Sequence, residues 1–206
     1  MHRFLSSFFE TNERPRPSFD TKLVGARIIL RMGDPGDWRN WRAMRELSRD
    51  FLVPWEPTWP QNGLTYGFFC GLLRRHWRDW RQGKAYAFMI FLKEPGGKPG
   101  MLVGGITLNE IQRGIAQKGT LGYWIGKPYA RQGLMTEAAD LVCDFAFQTL
   151  KLHRVEASCL LRNEPSKALL ERLGFEEEGY AKDYLQINGK WEDHILWGKA
   201  ASRPQV

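Results

Sequence analysis

The pattern of this 206-residue chain predicts a mixed α/β fold, a mainly antiparallel sheet flanked by helices. Three observations carry that expectation. Short apolar runs bounded by Gly and Pro alternate with segments whose apolar residues recur every three or four positions, the marks of strands and of amphipathic helices. The runs at 85–92, 101–108 and 120–125 follow one another across turn-rich connections, as in an antiparallel meander. A hydrophobic share of 43% in a chain of this length suffices for one full core, so a single domain over about residues 23–200 is expected.

Each element has its own reason. Residues 1–22 carry Pro15 and Pro17 between charged residues, which cannot propagate a helix, and are expected to form an extended arm; 201–206 form a tail. Residues 27–31 read as a first strand. Trp38, Trp41, Met44, Leu47 and Phe51 then share one helical face, with Arg39, Arg42, Arg45 and Arg49 largely on the other. Pro54, Pro57 and Pro60 force an irregular loop before a second helix over about 64–80, which places Phe69, Leu73, Trp77 and Trp80 inward and Arg74, Arg75, Arg78 and Arg81 largely outward. The segment Glu94 to Gly100 is a hairpin connection. A helix over 134–150, a strand over 154–159, a helix over 165–173 and a hairpin turning at Asn188-Gly189 complete the order, without an internal repeat.

Composition bounds the function without choosing it. The net charge of +7, from 30 basic and 23 acidic residues, suits an anionic cofactor, a ribosome or other nucleic acid, and an acidic partner equally well. Both arginine rows fit a solvated helix face as well as a nucleic-acid footprint, and the interleaved tryptophans are spaced for a core. Cys70, Cys143 and Cys159 are odd in number and scattered, which predicts reduced thiols. The scattered His2, His76, His153 and His194 predict no metal site. The opening nine residues are too short an apolar run for a signal peptide, and no run approaches the roughly 18 apolar residues of a membrane span. The chain reads as soluble and cytoplasmic.

Gly122 to Glu137 is the most informative stretch: an apolar strand passes through a basic, Gly-bearing turn into a helix start. Such a turn converges several backbone N–H groups and the positive end of a helix dipole where a pyrophosphate can sit, which points to acyl-CoA. The segment resembles the cofactor loop of the GNAT superfamily of acyl-CoA-dependent N-acetyltransferases. Its R/Q-x-x-G-x-G/A pattern falls on Ala130, Gly133 and Met135, so the central glycine alone matches. Asn163 to Phe175 resembles the superfamily's second cofactor-proximal element. Phe51 to Pro57 and Glu178 to His194 resemble the branch of ribosomal-protein N-terminal-alanine acetyltransferases, and the likeness runs from about Leu23 to Trp197.

That resemblance implies a GNAT fold and acetyl-CoA as cofactor, with no metal. It implies a strand from Leu121 to Gly126 that splays from its neighbour, with Trp124, Ile125 and Gly126 along the pantetheine arm and the Ile125 N–H facing the acetyl oxygen. The amides of Arg131, Gln132, Gly133, Leu134, Met135 and Thr136 would hold the pyrophosphate. The tyrosine that often protonates the leaving thiolate is absent, since leucines stand at 169 and 170. The serine used instead in some ribosomal-protein enzymes maps to Ser166, beside Asn163 on a cofactor-facing turn, though a serine next to Pro165 equally suits a helix cap. Glu56, bordering the acceptor cleft, is the first candidate for the base and equally an exposed loop carboxylate. Tyr184, Glu110 and Asp183 follow, and the direction in which Glu156 points is open. The implied acceptor is the N-terminal α-amine, an alanine's, of a ribosomal protein, in a monomer or homodimer. A small-amine or antibiotic acetyltransferase, or a basic ribosome-binding module with a vestigial CoA site, remain alternatives.

Overall fold

The computed structural model describes residues 17–201; the bulk of the expected arm, residues 1–16, and the tail from 202 onward lie outside the described residues. Eight strands form one sheet: β1 (Lys22–Val24), β2 (Ile28–Arg31), β3 (Tyr86–Lys93), β4 (Pro99–Gln112), β5 (Lys118–Ile125), β6 (Arg154–Leu160), β7 (Glu176–Ile187) and β8 (Lys190–Ala200). Their order is β1-β2-β3-β4-β5-β6-β8-β7, antiparallel throughout except for the parallel pair β5–β6. The expected meander is β3–β4–β5, and β1 begins pairing at the border expected between arm and domain.

Pleat alternation sorts this sheet into two faces, because directly opposed residues in antiparallel strands share a side. Met89, Gly105 and Trp124 lie in one row across β3, β4 and β5. That face is covered by α1 (Trp38–Leu47) and α3 (Tyr66–Arg81), whose Trp41, Met44, Phe69 and Leu73 pack on Met89 and Phe91. On the other side, Phe88, Ile90, Ile106, Leu108 and Leu121 meet α4 (Leu134–Asp144) through Ala138, Ala139 and Val142. Helix α5 (Glu164–Arg172) adds Leu170 to this larger core.

Two helices depart from expectation for identifiable reasons. The run expected as one helix over 38–51 breaks at Ser48 and resumes as a single turn, α2 (Arg49–Leu52). The buried Ser48 hydroxyl accepts the Lys127 N–H at 2.9 Å, tying the break to the segment after β5. The helix expected over 134–150 is α-helical only to Asp144 and then widens into a π turn over Phe145–Thr149, as its Leu150 N–H bonds to the Phe145 carbonyl. Arg39 and Arg42 of α1 and the outward arginines of α3 are exposed as the periodicity implies, whereas Arg45 is largely buried and Leu47, expected on the apolar face, is exposed because the break at Ser48 ends that face.

Candidate active site

Strands β5 and β6 pair only from Lys118↔Arg154 to Leu121↔Ala157, then part. On its other side β5 stays paired with β4 up to Gly104↔Ile125, and the Gly126 N–H donates to the Val103 carbonyl at 2.7 Å. Because N–H groups alternate in direction along a strand, those of Ile125 and Tyr123 turn toward the gap that β6 vacates. An open, strand-edged notch results.

Helix α4 starts directly beyond the notch. Gly133 is its N-cap at φ 75°, a left-handed conformation natural to glycine, and Arg131 before it is also left-handed at φ 60°. No side chain caps this helix, and its first-turn N–H groups find no acceptor among the described residues. Left-handed residues at 131 and 133, on either side of Gln132, form a concave set of donors at the positive end of a helix dipole, which fits a phosphate group. Arg27 braces the turn: its Nη1 donates to the Gln132 carbonyl at 2.8 Å and its Nε pairs with Glu137 at 3.0 Å. Alongside runs a shallow depression of about 480 Å3, with Arg27, Gly133, Thr136, Asp140 and Arg172 on its walls.

Ser166 stands across the notch. Its backbone N–H donates to Asn163 Oδ1 at 3.2 Å, so Asn163, not Ser166, caps α5, and the Ser166 hydroxyl is left for another partner. That partner is the Tyr123 hydroxyl, 2.7 Å away. Burial pushes the Tyr123 phenol up to about 12, against the opposing pull of the Ser166 hydrogen bond. The phenol therefore keeps its proton at any physiological pH.

Glu56 sits in the loop after α2, and its two oxygens accept from Arg45 Nη1 and Nη2 at 2.7 and 2.6 Å. The Trp59 indole N–H donates to the second oxygen at 2.7 Å. Arg45 is itself stacked between the rings of Trp59 and Trp124, at 4.2 and 4.8 Å to their centroids. Neither side chain of this pair is exposed by more than a fifth. The Asn188 N–H in the β7–β8 turn donates to the Glu56 carbonyl at 2.9 Å, so loop and hairpin close over the same end of the sheet.

Other carboxylates and phenols have settled places. Glu156 lies between Lys118 and Arg154, and Glu110 accepts from the Thr120 hydroxyl at 3.0 Å. Tyr184 is half exposed on the hairpin, its ring edge-on to His194 at 5.7 Å, beside Asp183 in the β7 bulge. The cysteines are free, with Cys143 and Cys159 buried. Among the described residues no cluster of His, Cys, Asp and Glu could hold a metal ion, and no helix is long and apolar enough to cross a membrane.

Comparison with known proteins agrees with the fold. The family model described as an acetyltransferase (GNAT) domain matches residues 27–176, most of the chain. The chain belongs to the GNAT acetyltransferase family. It is 35% identical to the ribosomal protein uS5 alanine N-acetyltransferase of Escherichia coli (strain K12), over 85% of this chain and 88% of that one. Among solved structures it resembles the ribosomal-protein-S5-alanine acetyltransferase of Vibrio fischeri, with a TM-score of 0.80, 29% identity and 89% and 98% of the two chains covered. It also resembles Mycobacterium smegmatis RimJ in complex with CoA-disulfide, with a TM-score of 0.79, 28% identity and 87% and 84% covered.

Around this notch, three side chains that contact the candidate residues escaped the sequence reading. Tyr123 is two residues before Ile125 on β5, and the pleat puts its side chain on the sheet face that carries α4 and α5. That signal was available. Arg45 read only as one of a row of outward arginines, and Trp59 in the proline-broken loop was not singled out. Their stacking across α1, the loop and β5 joins residues 79 positions apart, which no local pattern announces.

Proposed function

We propose that this GNAT protein transfers acetyl from acetyl-CoA to the N-terminal α-amine of a protein, that of an alanine on a ribosomal protein. The observation that carries this reading is the parting of β5 from β6 onto the uncapped, glycine-headed start of α4. Bound there, acetyl-CoA would supply an activated thioester carbon for attack by a neutral amine. The relatives named for ribosomal-protein alanine acetylation support the choice of acceptor.

The chain's residues divide the work as follows. The amides of Arg131, Gln132, Gly133, Leu134, Met135 and Thr136 hold the pyrophosphate, with Arg131 adding charge. The edges of Trp124, Ile125 and Gly126 line the pantetheine, with Asn163 closing the facing turn. The Ile125 N–H donates to the acetyl oxygen, where charge develops during attack. Glu56, aimed by Arg45 and Trp59, accepts the ammonium proton directly or through water; an α-amine near about 7.7 to 8.0 asks little of a base. Ser166 and Tyr123 donate a hydrogen bond toward the departing sulfur. A phenol near 12 holds its proton more tightly than a thiol of about 8.5, so the pair stabilises CoA as the departing thiolate by hydrogen bonding, and the thiolate takes its proton from solvent. Tyr184 borders the acceptor's path from the hairpin side.

The exposed arginines of α1 and α3 support contact with ribosomal RNA as the enzyme meets its substrate in the cytoplasm. Thioester turnover with N-terminal peptides, polyamines and aminoglycosides tests the whole reading. N-terminal alanine peptides are expected to give the highest specificity constant, and a clearly higher value for a polyamine or aminoglycoside overturns it.

A further inference from the structure

A second cavity of about 170 Å3 lies between α1, α3 and the sheet, with Trp124 in its lining. Its lining includes Trp41, Leu72, His76, Met89, Thr107 and Trp124. Gly105 also lines it, and a Cβ there would come within 2.5 Å of the Trp124 indole nitrogen, so glycine is what lets the ring lie close across β4. Burial, with Arg75 beside it, pushes the His76 imidazole down to about 4, which leaves no charged group facing inward at neutral pH. The slot is thus apolar, with a neutral imidazole and a hydroxyl as its polar handles.

The slot shares Trp124 with the acceptor side of the site: this residue stands one position, about 3.4 Å, before Ile125 on β5, and Arg45, which holds Glu56, lies over its ring. An alanine acceptor places only a methyl group on its first residue, which would leave such a volume nearly empty. Resting on the acceptor reading above, we infer that the slot binds the apolar side chain of the acceptor's second residue and so sets sequence preference beyond the N-terminal alanine. A charged side chain there would lose its hydration with no partner of opposite charge among the lining residues.

Specificity constants for Ala-Leu-, Ala-Gly- and Ala-Asp-initiated peptides, otherwise identical, test this. The parent protein should favour Ala-Leu over Ala-Gly by about ten- to a hundredfold, as a filled apolar pocket does, with Ala-Asp poorest. Leu72→Trp, which fills the slot from α3, and independently Thr107→Leu, which fills it from β4, should each cut the rate on Ala-Leu to that on Ala-Gly while leaving Ala-Gly turnover and acetyl-CoA affinity as in the parent. Equal constants for Ala-Leu and Ala-Gly in the parent overturn the subsite alone, as does a preference that survives both fillings. A parent that acetylates polyamines but none of the peptides overturns the subsite together with the acceptor reading.

Discussion

The hydroxyls of Tyr123 on β5 and Ser166 on α5 stand 2.7 Å apart across the gap between β5 and β6. Two polar groups from elements 43 residues apart in sequence share a hydrogen bond where the sheet has lost its own. Since Asn163 already caps α5, the serine's hydroxyl contributes little to holding the helix. Ser166→Ala is therefore expected to lower turnover roughly tenfold to a hundredfold, the loss of a hydrogen bond to a charged group, while acetyl-CoA affinity and melting temperature barely move. Tyr123→Phe should do the same. If the pair acts as one hydrogen-bonded unit, the double variant costs no more than the worse single one, which a double-mutant cycle on kcat checks; full additivity would mean two independent roles.

Asn163→Ala supplies the contrast. Removing the side chain that accepts the Ser166 N–H should cost about 1 kcal/mol of stability, read by denaturant melts.

Gly133 admits a sharper substitution. Its φ of 75° strains any L-residue with a Cβ, and that Cβ would lie 3.3 Å from Arg27 Nη2. Gly133→Glu additionally places a carboxylate where the donors of the turn converge. Acetyl-CoA binding is expected to fall below calorimetric detection while the protein still melts cooperatively at a somewhat lower temperature. Unchanged affinity in the folded variant would move the cofactor elsewhere.

Much of this was legible in the sequence for a physical reason: strand and helix periods, proline breaks and a glycine-bearing turn are local signals, and local signals place β3, β4, β5 and α4 with the turn that heads it. What was not legible depends on partners distant in the chain. Ser48 belongs by pattern to a continuous helix, and breaks it because its hydroxyl is drawn to Lys127, 79 residues away. Ser166 read as a possible cap because local rules favour serine beside Pro165; the neighbouring Asn163 won that role and freed the hydroxyl for Tyr123. Arg45 looked like a solvated arginine until two tryptophans from other elements enclosed it.

His76 makes stability depend on acid. Its imidazole titrates at about 4 in the folded chain against an ordinary 6.5, through burial first and the Arg75 charge second, with Asp79 opposing. The folded state disfavours the proton, so the contribution is complete above pH 6.5 and is lost as pH falls toward 4. At 1.36 kcal/mol per pKa unit the loss is on the order of 3 kcal/mol. Chemical denaturation at steps between pH 7 and 4 should show this slope, and His76→Leu should flatten it. An unaltered slope in that variant would assign the acid sensitivity to other groups.

Glu56 remains to be separated into a proton acceptor and an anchor, and Arg45 makes the separation possible. In Glu56→Gln the side chain keeps its size, but its amide N–H2 faces the guanidinium donors that held the carboxylate. If Glu56 takes the ammonium proton, the variant should lose most turnover below about pH 7.7, where the acceptor amine is protonated, and recover part of it above about 8.0, where the amine arrives neutral. Arg45→Met leaves the carboxylate in place without its two clamping bonds and takes the cation from between Trp59 and Trp124. A proton acceptor that has merely lost its aim should then show reduced kcat at every pH, on the order of tenfold, with KM for the peptide little changed. If instead Glu56→Gln lowers turnover by the same factor from pH 6 to 9 and raises KM, then Glu56 holds the loop and hairpin around the peptide, and the amine sheds its proton to water before attack.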